Sequence, residues 1–381
     1  MTPLIGWHLG NGNAPTDIDW RILETVQPRC VVFLPDEGTQ PEHLARLLGM
    51  APDCHIIMRP YYVPGGGLAD YTDQCKRAMD RYWPVVPAGQ RHLQPFNEPN
   101  MPRWANWEGF GDQMADMQLY DDWFCAAYST LKRHDSNTKI GGPSLTPGNR
   151  DAWFRGDAVG HYYLHGPSGC VETLTPATAA KARAESPCAS ALSLMDEHYA
   201  HIYLHNDRDA YKAPWLGLRF ERYRLFLPDK PLWLTEAGFP NRANWPDWGD
   251  AALIDWLNLI EGRNVQGVAL WILGDKDQWG RPWYDGGNPR PLVYTLGQMQ
   301  TPEPDPIPTP IEEDEPVSET LSADVAVTAW RWHTEEAVRE LQAGKVDAAR
   351  ARLLALANRE SGLAYRTEEC VHALIETLKA V

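Results

Sequence analysis

Two glutamates, Glu98 and Glu236, stand in similar surroundings although they are far apart along the chain. Glu98 lies in QPFNEPN (94–100) and Glu236 in LWLTEAGFP (232–240), and each follows an apolar run and is soon followed by a turn-forming proline or glycine. Two carboxylates on opposite sides of a cleft can divide acid and nucleophile chemistry, because one with a raised pKa donates a proton while the ionised one attacks. Taken alone, Glu98 would equally be a turn acid before Pro99, so its interpretation depends on Glu236.

Eight short apolar segments alternate with helix-length amphipathic segments through residues 1–300. The predicted strands are LIGWHL (4–9), CVVFLP (30–35), CHIIMRPYY (54–62), HLQPFN (92–97), KIGGPSL (139–145), MDEHYAHIY (195–203), PLWLTEAG (231–238) and GVALWIL (267–273). Segments between them, such as DYTDQCKRAMDRYW, carry apolar residues three and four positions apart, as amphipathic helices do. The pattern predicts an α/β fold in which residues 1–300 form a (β/α)8 TIM barrel.

A doubly wound open sheet is the alternative, but no glycine fingerprint such as GxGxxG follows the first strand. In a barrel the C-terminal ends of the parallel strands meet at one face. We therefore expect Glu98, which closes the fourth predicted strand, to face Glu236, which closes the seventh. At about 5 to 5.5 Å the ionised carboxylate would attack a sugar directly and retain its configuration, whereas a wider gap admits water and inverts it.

The motif Asn-Glu-Pro at the end of strand four, together with TEAG at the end of strand seven, resembles clan A of the glycoside hydrolases. This superfamily of retaining (β/α)8 enzymes includes families 5 and 39, and the likeness covers residues 1 to about 295. The resemblance implies that Glu98 is the general acid/base, that Glu236 is the nucleophile and that Asn97 hydrogen-bonds the sugar 2-hydroxyl. It also implies that neither a cofactor nor a metal is needed.

Other positions agree with the resemblance. His201 and Tyr203 match the His-x-Tyr that closes strand six in many clan members, and Trp271 resembles the tryptophan that forms the floor of the −1 sugar subsite. Arg59 would hold the nucleophile ionised through a charge-assisted hydrogen bond. The alternatives are that Arg59 neutralises another acid, that His201 is a core histidine and that Trp271 packs under the barrel rim.

Aromatic residues supply further candidates for sugar binding. Trp7 and His8 end the first predicted strand, and we expect both to line the same face as the glutamates. Trp104 in WANW and Trp279 in QWGRPWYD stand in loop-like sequence, where exposed rings usually serve binding. Core and interface packing remains the alternative for many of the 17 tryptophans.

The composition narrows the range of partners. The formal net charge of −16 argues against nucleic acid or an anionic membrane, because a phosphate backbone needs a basic footprint. No segment approaches the roughly 20 apolar residues of a membrane span, and the N-terminus lacks a signal-peptide pattern, which predicts a cytoplasmic protein, or a secreted one if a leader precedes this sequence. Seven cysteines show no CxxC pair, so most should be packed thiols, and pairing of Cys170 with Cys188 is left open.

Three segments fall outside the barrel pattern. Residues 301–319 hold six prolines and seven acids with no base, which predicts an extended acidic linker. Residues 320–381 predict a small helical domain, either one tetratricopeptide-like hairpin or a short bundle, with a protein partner as one role. Residues 146–194 are longer than one crossover helix requires, and we expect them to form a wall or lid over the cleft.

These observations favour a retaining glycoside hydrolase that cleaves a β-linked oligo- or polysaccharide. A non-catalytic carbohydrate-binding or scaffold barrel, whose helical tail recruits a partner, is the alternative, and the presence of both glutamates argues against it. A metal-dependent hydrolase would need a histidine and aspartate cluster such as HxH after strand one, and the sequence has none there.

Overall fold

The structure is a computed structural model. It describes residues 2–10, 13–35, 38–60, 67–101, 109–111, 114–145, 179–180, 183–184, 186–204, 210–212, 217–239, 248–273, 283–285 and 288–300.

Eight parallel strands close into a barrel in the order in which they occur along the chain, so that the first strand pairs with the second and with the eighth. The barrel strands are β1 (Leu4–Leu9), β2 (Cys30–Phe33), β3 (His55–Met58), β4 (Arg91–Leu93), β5 (Lys139–Leu145), β6 (Glu197–Tyr203), β7 (Leu232–Gly238) and β8 (Val265–Leu273). A short antiparallel pair, β9 (Tyr284–Asp285) and β10 (Asn288–Pro289), follows the barrel strands. The predicted fold class is confirmed.

Helices lie between the strands in the described part of the chain. They are α1 (Asp17–Val26), α2 (Pro41–Met50), α3 (Leu68–Tyr82), α4 (Met114–His134), α5 (Ala189–Leu194), α6 (Phe220–Phe226), α7 (Gly249–Ile260) and α8 (Pro291–Gln300). Local sequence explains how they start: Thr16 and Asp19 form a reciprocal capping box at α1, and Pro41 occupies the first turn of α2.

The core has an outer and an inner part. Alternate residues of each strand pack outward against the helices, whereas seven residues form a separate cluster: Leu4, Cys30, Val32, Ile57, Tyr199, Trp233 and Ala269. The rings of Tyr199 and Trp233 fit because the neighbouring strands carry glycine. A Cβ on Gly141 would lie 2.6 Å from the Tyr199 ring, and one on Gly267 would lie 2.6 Å from the Trp233 ring.

A chain of polar groups crosses the barrel near the starts of its strands. The ring nitrogens His55 Nδ1 and His92 Nε2 are 2.8 Å apart, and His92 Nδ1 lies 2.7 Å from Glu197 Oε2. The hydroxyl of Tyr199 donates to the same oxygen of Glu197 at 2.9 Å. Burial and the nearby His92 lower the pKa of His55 to about 4.

The fourth strand is shorter than the sequence predicted. We expected it to span residues 92–97 and to end next to Glu98, but β4 ends at Leu93. The backbone N–H of Gln94 still donates to Met58 O at 2.9 Å, and Pro95 then has no N–H with which to continue the ladder. Glu98 therefore follows the strand instead of closing it.

Several predicted features lie outside the described residues: the linker at 301–319, the helical domain at 320–381, most of the wall segment at 146–194, and Cys170. Cys188 is a free, buried thiol whose Sγ lies 3.2 Å from Met117 O. Among the described helices, none is both long and apolar enough to cross a membrane.

Candidate active site

Glu236 faces the barrel interior because β7 contains a bulge. Along the pairing of β6 with β7, Ala200 lies opposite Leu234 whereas the next residue, His201, lies opposite Glu236, so Thr235 is the extra residue. Without the bulge, strict alternation from the inward Trp233 would point Thr235 inward and Glu236 toward the helices. The bulge therefore aims the carboxylate into the barrel.

Glu98 is held by its backbone. It has a positive φ of 46°, a left-handed conformation that is costly for a residue with a side chain. Its N–H donates to Ser144 O at 3.1 Å, and its own carbonyl accepts from the N–H of Met101 at 2.9 Å. Two backbone hydrogen bonds thus fix Glu98 beside the end of β5.

His201 joins the two carboxylates. Its Nδ1 lies 3.1 Å from Glu98 Oε1 and 3.6 Å from Glu236 Oε2. One oxygen of each carboxylate and a ring nitrogen of His201 all lie within 4.8 Å of one another. The two glutamates predicted to meet are therefore brought together, although β4 does not reach Glu98.

The surroundings of the two carboxylates differ. Arg59, which is 5% exposed, forms an ion pair with Glu236 Oε1, and Tyr203 donates its hydroxyl to Glu236 Oε2. Burial, followed by the charges of Glu236 and Glu98, raises the pKa of Tyr203 well above its usual value, so the hydroxyl keeps its proton. The side chain of Glu236 is 4% exposed, whereas that of Glu98 is 16% exposed.

Arg59 also reaches Asn97. Its Nη1 donates to Asn97 Oδ1 at 3.1 Å, and Gln94 Nε2 donates to the same oxygen at 3.2 Å. Gln94 was not among the predicted site residues. A signal was present, because Gln94 lies two positions after the inward-facing His92 and should share its side of the strand.

His8 and Trp271 lie next to each other at the site. Their ring centroids are 4.7 Å apart, and Trp271 is half-buried while His8 is fully buried. Burial, followed by the charges of Arg59 and His201, lowers the pKa of His8 well below its usual value. Among the described residues neither ring nitrogen of His8 has a hydrogen-bond partner.

The expectation that Trp7 also lines the site needs correction. Trp7 belongs to the outer core and packs edge-on against Trp283, with ring centroids 5.6 Å apart. Adjacent residues of a strand point to opposite faces, so Trp7 and His8 cannot both face the interior. Trp104 and Trp279, the other predicted binding residues, lie outside the described part of the chain.

Glu98, His201 and Glu236 also have the spacing of a cation site, since their ligand atoms lie within 4.8 Å of one another. Carboxylate and imidazole groups suit several divalent metals. However, Arg59 and Tyr203 already donate to the two oxygens of Glu236, and the guanidinium places a positive charge against the carboxylate. The same three side chains equally suit proton transfer and nucleophilic attack.

Comparison with solved structures finds a similar fold in several glycosidases. A glucosidase from Croceicoccus marinus is 13% identical, with 78% of this chain and 68% of that chain covered and a TM-score of 0.52. A family 128 (subgroup II) endo-β-1,3-glucanase from Sorangium cellulosum is 19% identical, with 79% of this chain and 99% of that chain covered and a TM-score of 0.48. A family 39 glycoside hydrolase from Bacteroides cellulosilyticus is 14% identical, with 78% of this chain and 63% of that chain covered and a TM-score of 0.48.

No protein-family model matches the chain, and no curated protein matches it. At such low identities the structural neighbours establish the fold and nothing finer.

Proposed function

We propose that the protein is a retaining glycoside hydrolase that acts on a β-linked oligo- or polysaccharide. The observation that carries the proposal is the pair Glu98 and Glu236, whose carboxylate oxygens lie within 4.8 Å of each other while sharing His201. This separation is close to the spacing of about 5 to 5.5 Å between the carboxyl groups of retaining enzymes, and it leaves little room for an attacking water.

The different surroundings of the two carboxylates support different roles. Glu236 is paired with the Arg59 guanidinium and accepts a hydrogen bond from Tyr203, so a positive charge faces one of its oxygens and an O–H donor faces the other. We assign it as the nucleophile. Glu98 is more exposed and lies within hydrogen-bonding distance of His201, so we assign it as the acid that meets the leaving group.

In the first step Glu98 gives its proton to the glycosidic oxygen while a Glu236 oxygen attacks the anomeric carbon. The bond from that carbon to the leaving oxygen breaks as the ester to Glu236 forms. In the second step Glu98, now ionised, takes a proton from water, the water oxygen attacks the same carbon, and Glu236 leaves as a carboxylate. Two inversions at one carbon give net retention.

The resemblance and one structural neighbour support a glycan as the class of substrate. A glucosidase shares the fold at a TM-score of 0.52, and the half-buried Trp271 offers an aromatic face on which a sugar ring can stack. These features support a glycan substrate without naming its sugar.

Replacing each carboxylate in turn tests the assignment. Glu236→Ala should abolish turnover of aryl β-glycosides, and added azide should restore it with inverted product, because azide enters the space left by the carboxylate. Glu98→Ala should still release good leaving groups, which need no proton. Glu24→Ala, at an exposed position in α1, is the matched control and should behave like the wild type.

The opposite pattern, in which Glu98→Ala with azide gives the inverted product while Glu236→Ala still releases good leaving groups, would reverse the two roles. Tight binding of glycans without any turnover across β-glucan, mannan, xylan and aryl β-glycosides would instead favour the binding module. Loss of activity on treatment with a chelator would point to a metal at the Glu98, His201 and Glu236 cluster.

A further inference from the structure

We propose that Gln94 is a positioning residue that fixes the amide of Asn97, so that Asn97 offers only N–H donors to the substrate. This inference rests on the proposed function, since it concerns how the same site selects a sugar with a hydrogen-bond acceptor at C2. Gln94 is 0% exposed and lies at the end of β4, whereas Asn97 is 6% exposed.

The orientation of the Asn97 amide is determined by its partners. A guanidinium has donors only, so the Asn97 atom that lies 3.1 Å from Arg59 Nη1 must be the oxygen. That oxygen in turn requires a donor from Gln94, which its Nε2 supplies at 3.2 Å. Arg59 thus sets the direction of the Asn97 amide, and the Asn97 oxygen sets the direction of the Gln94 amide. The hydrogen bond from Gln94 in turn holds the Asn97 amide in place.

Asn97 Nδ2 is left with two N–H groups. None of the described residues bonds to them, and the small remaining exposure of Asn97 places it at the surface of the cleft. Two donors at one point recognise an acceptor such as a hydroxyl oxygen. Rotating the amide by 180° would present the carbonyl to the substrate and would set N–H groups against Arg59 and Gln94.

The other end of Gln94 argues against a purely structural role. Its Oε1 is buried and has no hydrogen-bond partner among the described residues. A buried acceptor without a donor is unfavourable, and an apolar residue of the same length would avoid that loss. The single side-chain hydrogen bond that Gln94 makes with a described residue is the one that orients Asn97.

The test compares a β-glycoside that the wild type hydrolyses with its 2-deoxy counterpart. In Gln94→Met, which keeps the length of the side chain, kcat/KM for the 2-hydroxy substrate should fall about tenfold, mainly in kcat, while that for the 2-deoxy substrate should change less than about twofold. The ratio of the two kcat/KM values is the readout, because general damage to the site would lower both. Gln90→Leu, at a half-buried glutamine before β4 whose side chain donates to Pro52 O and not to Asn97, should keep the wild-type ratio.

A second variant covers the case in which Gln94→Met does not fold. Gln94→Glu has the same size, but its ionised carboxylate cannot donate to Asn97 Oδ1, so it should also lower the ratio at pH 7. A wild-type ratio in a folded Gln94→Met or Gln94→Glu protein would overturn the role of Gln94 and leave the proposed function intact. Absence of hydrolysis by the wild type would overturn the proposed function, and this inference with it.

Discussion

Tyr203 and Arg59 act on different oxygens of the Glu236 carboxylate. Arg59 contacts Oε1, while Tyr203 donates to Oε2, the oxygen that also lies 3.6 Å from His201 Nδ1. Both oxygens of the proposed nucleophile are therefore already in contact with a donor. Because the guanidinium stays charged and the Tyr203 hydroxyl keeps its proton, neither donor should be lost between pH 5 and 9.

Replacing Tyr203 by phenylalanine removes the neutral donor. A hydrogen bond to a charged group is worth about 1.5 to 3 kcal/mol, so Tyr203→Phe should lower kcat/KM by about 10- to 100-fold. The pKa of Tyr203 is raised well above its usual value, so the wild-type hydroxyl stays protonated and the ratio of wild-type to variant kcat/KM should be constant from pH 5 to 9. Tyr294→Phe, on the surface of α8, is the control. A ratio that falls toward one as the pH rises to 9 would show that Tyr203 loses its proton in that range.

On neighbouring strands of the barrel, a large inward side chain lies beside an inward glycine. Gly267 of β8 lies beside Trp233 of β7, and Gly141 of β5 lies beside Tyr199 of β6. The large rings fill the barrel, and the glycines leave room for them. Because the bulge that aims Glu236 begins two residues after Trp233, the packing of this ring bears on the site.

A methyl group at Gly267 should disturb this packing. Gly267→Ala would put a Cβ 2.6 Å from the Trp233 ring, and overpacking of this kind costs about 1 to 3 kcal/mol of unfolding free energy. Gly49→Ala in α2 has no atom within 4 Å of the added Cβ and should be neutral or stabilise by up to about 1 kcal/mol. Thermal unfolding of the two variants measures the difference, and equal stability would mean that Trp233 moves aside freely.

At the level of elements the sequence predicted the barrel well, because buried parallel strands are continuous apolar runs. The bounds predicted for β1 and β5 match the structure, whereas β4 was extended past Pro95 because its apolar residues continue. The bulge at Thr235 leaves no mark in the pattern of residue types, so that pattern alone cannot settle which side Glu236 faces. The alternation after His92 could place Gln94 on the inward side, but it could not show the bond to Asn97, whose amide is oriented by Arg59, far away in sequence.

The whole molecule contains buried histidines that resist protonation. Burial lowers the pKa of His198, which lies against Tyr223, to about 3, and the pKa of His55 is lowered to about 4. The unfolded chain binds protons at these positions below about pH 6.5, whereas the folded chain does not. Stability from these groups is therefore fully present above that pH and is lost as the pH falls toward the folded values.

Removing one such histidine should flatten the dependence of stability on pH. One proton corresponds to about 1.4 kcal/mol per pH unit, so between pH 6.5 and 5 the wild type should lose about 2 kcal/mol more unfolding free energy than His198→Leu. Urea unfolding of both proteins at several pH values measures this difference. Parallel curves over that range would show that His198 is protonated in the folded protein.

At Glu98, the proposed acid/base, the left-handed backbone lowers stability at a position where the proposed chemistry needs a carboxylate. A side chain at a φ of 46° costs about 1 to 2 kcal/mol, which glycine would recover in full and asparagine in part. In a related protein without turnover, glycine or asparagine at this position would raise the stability, so we expect to find one of them there. The residue at this position would then distinguish related barrels that are catalytically active from those that keep the fold without activity.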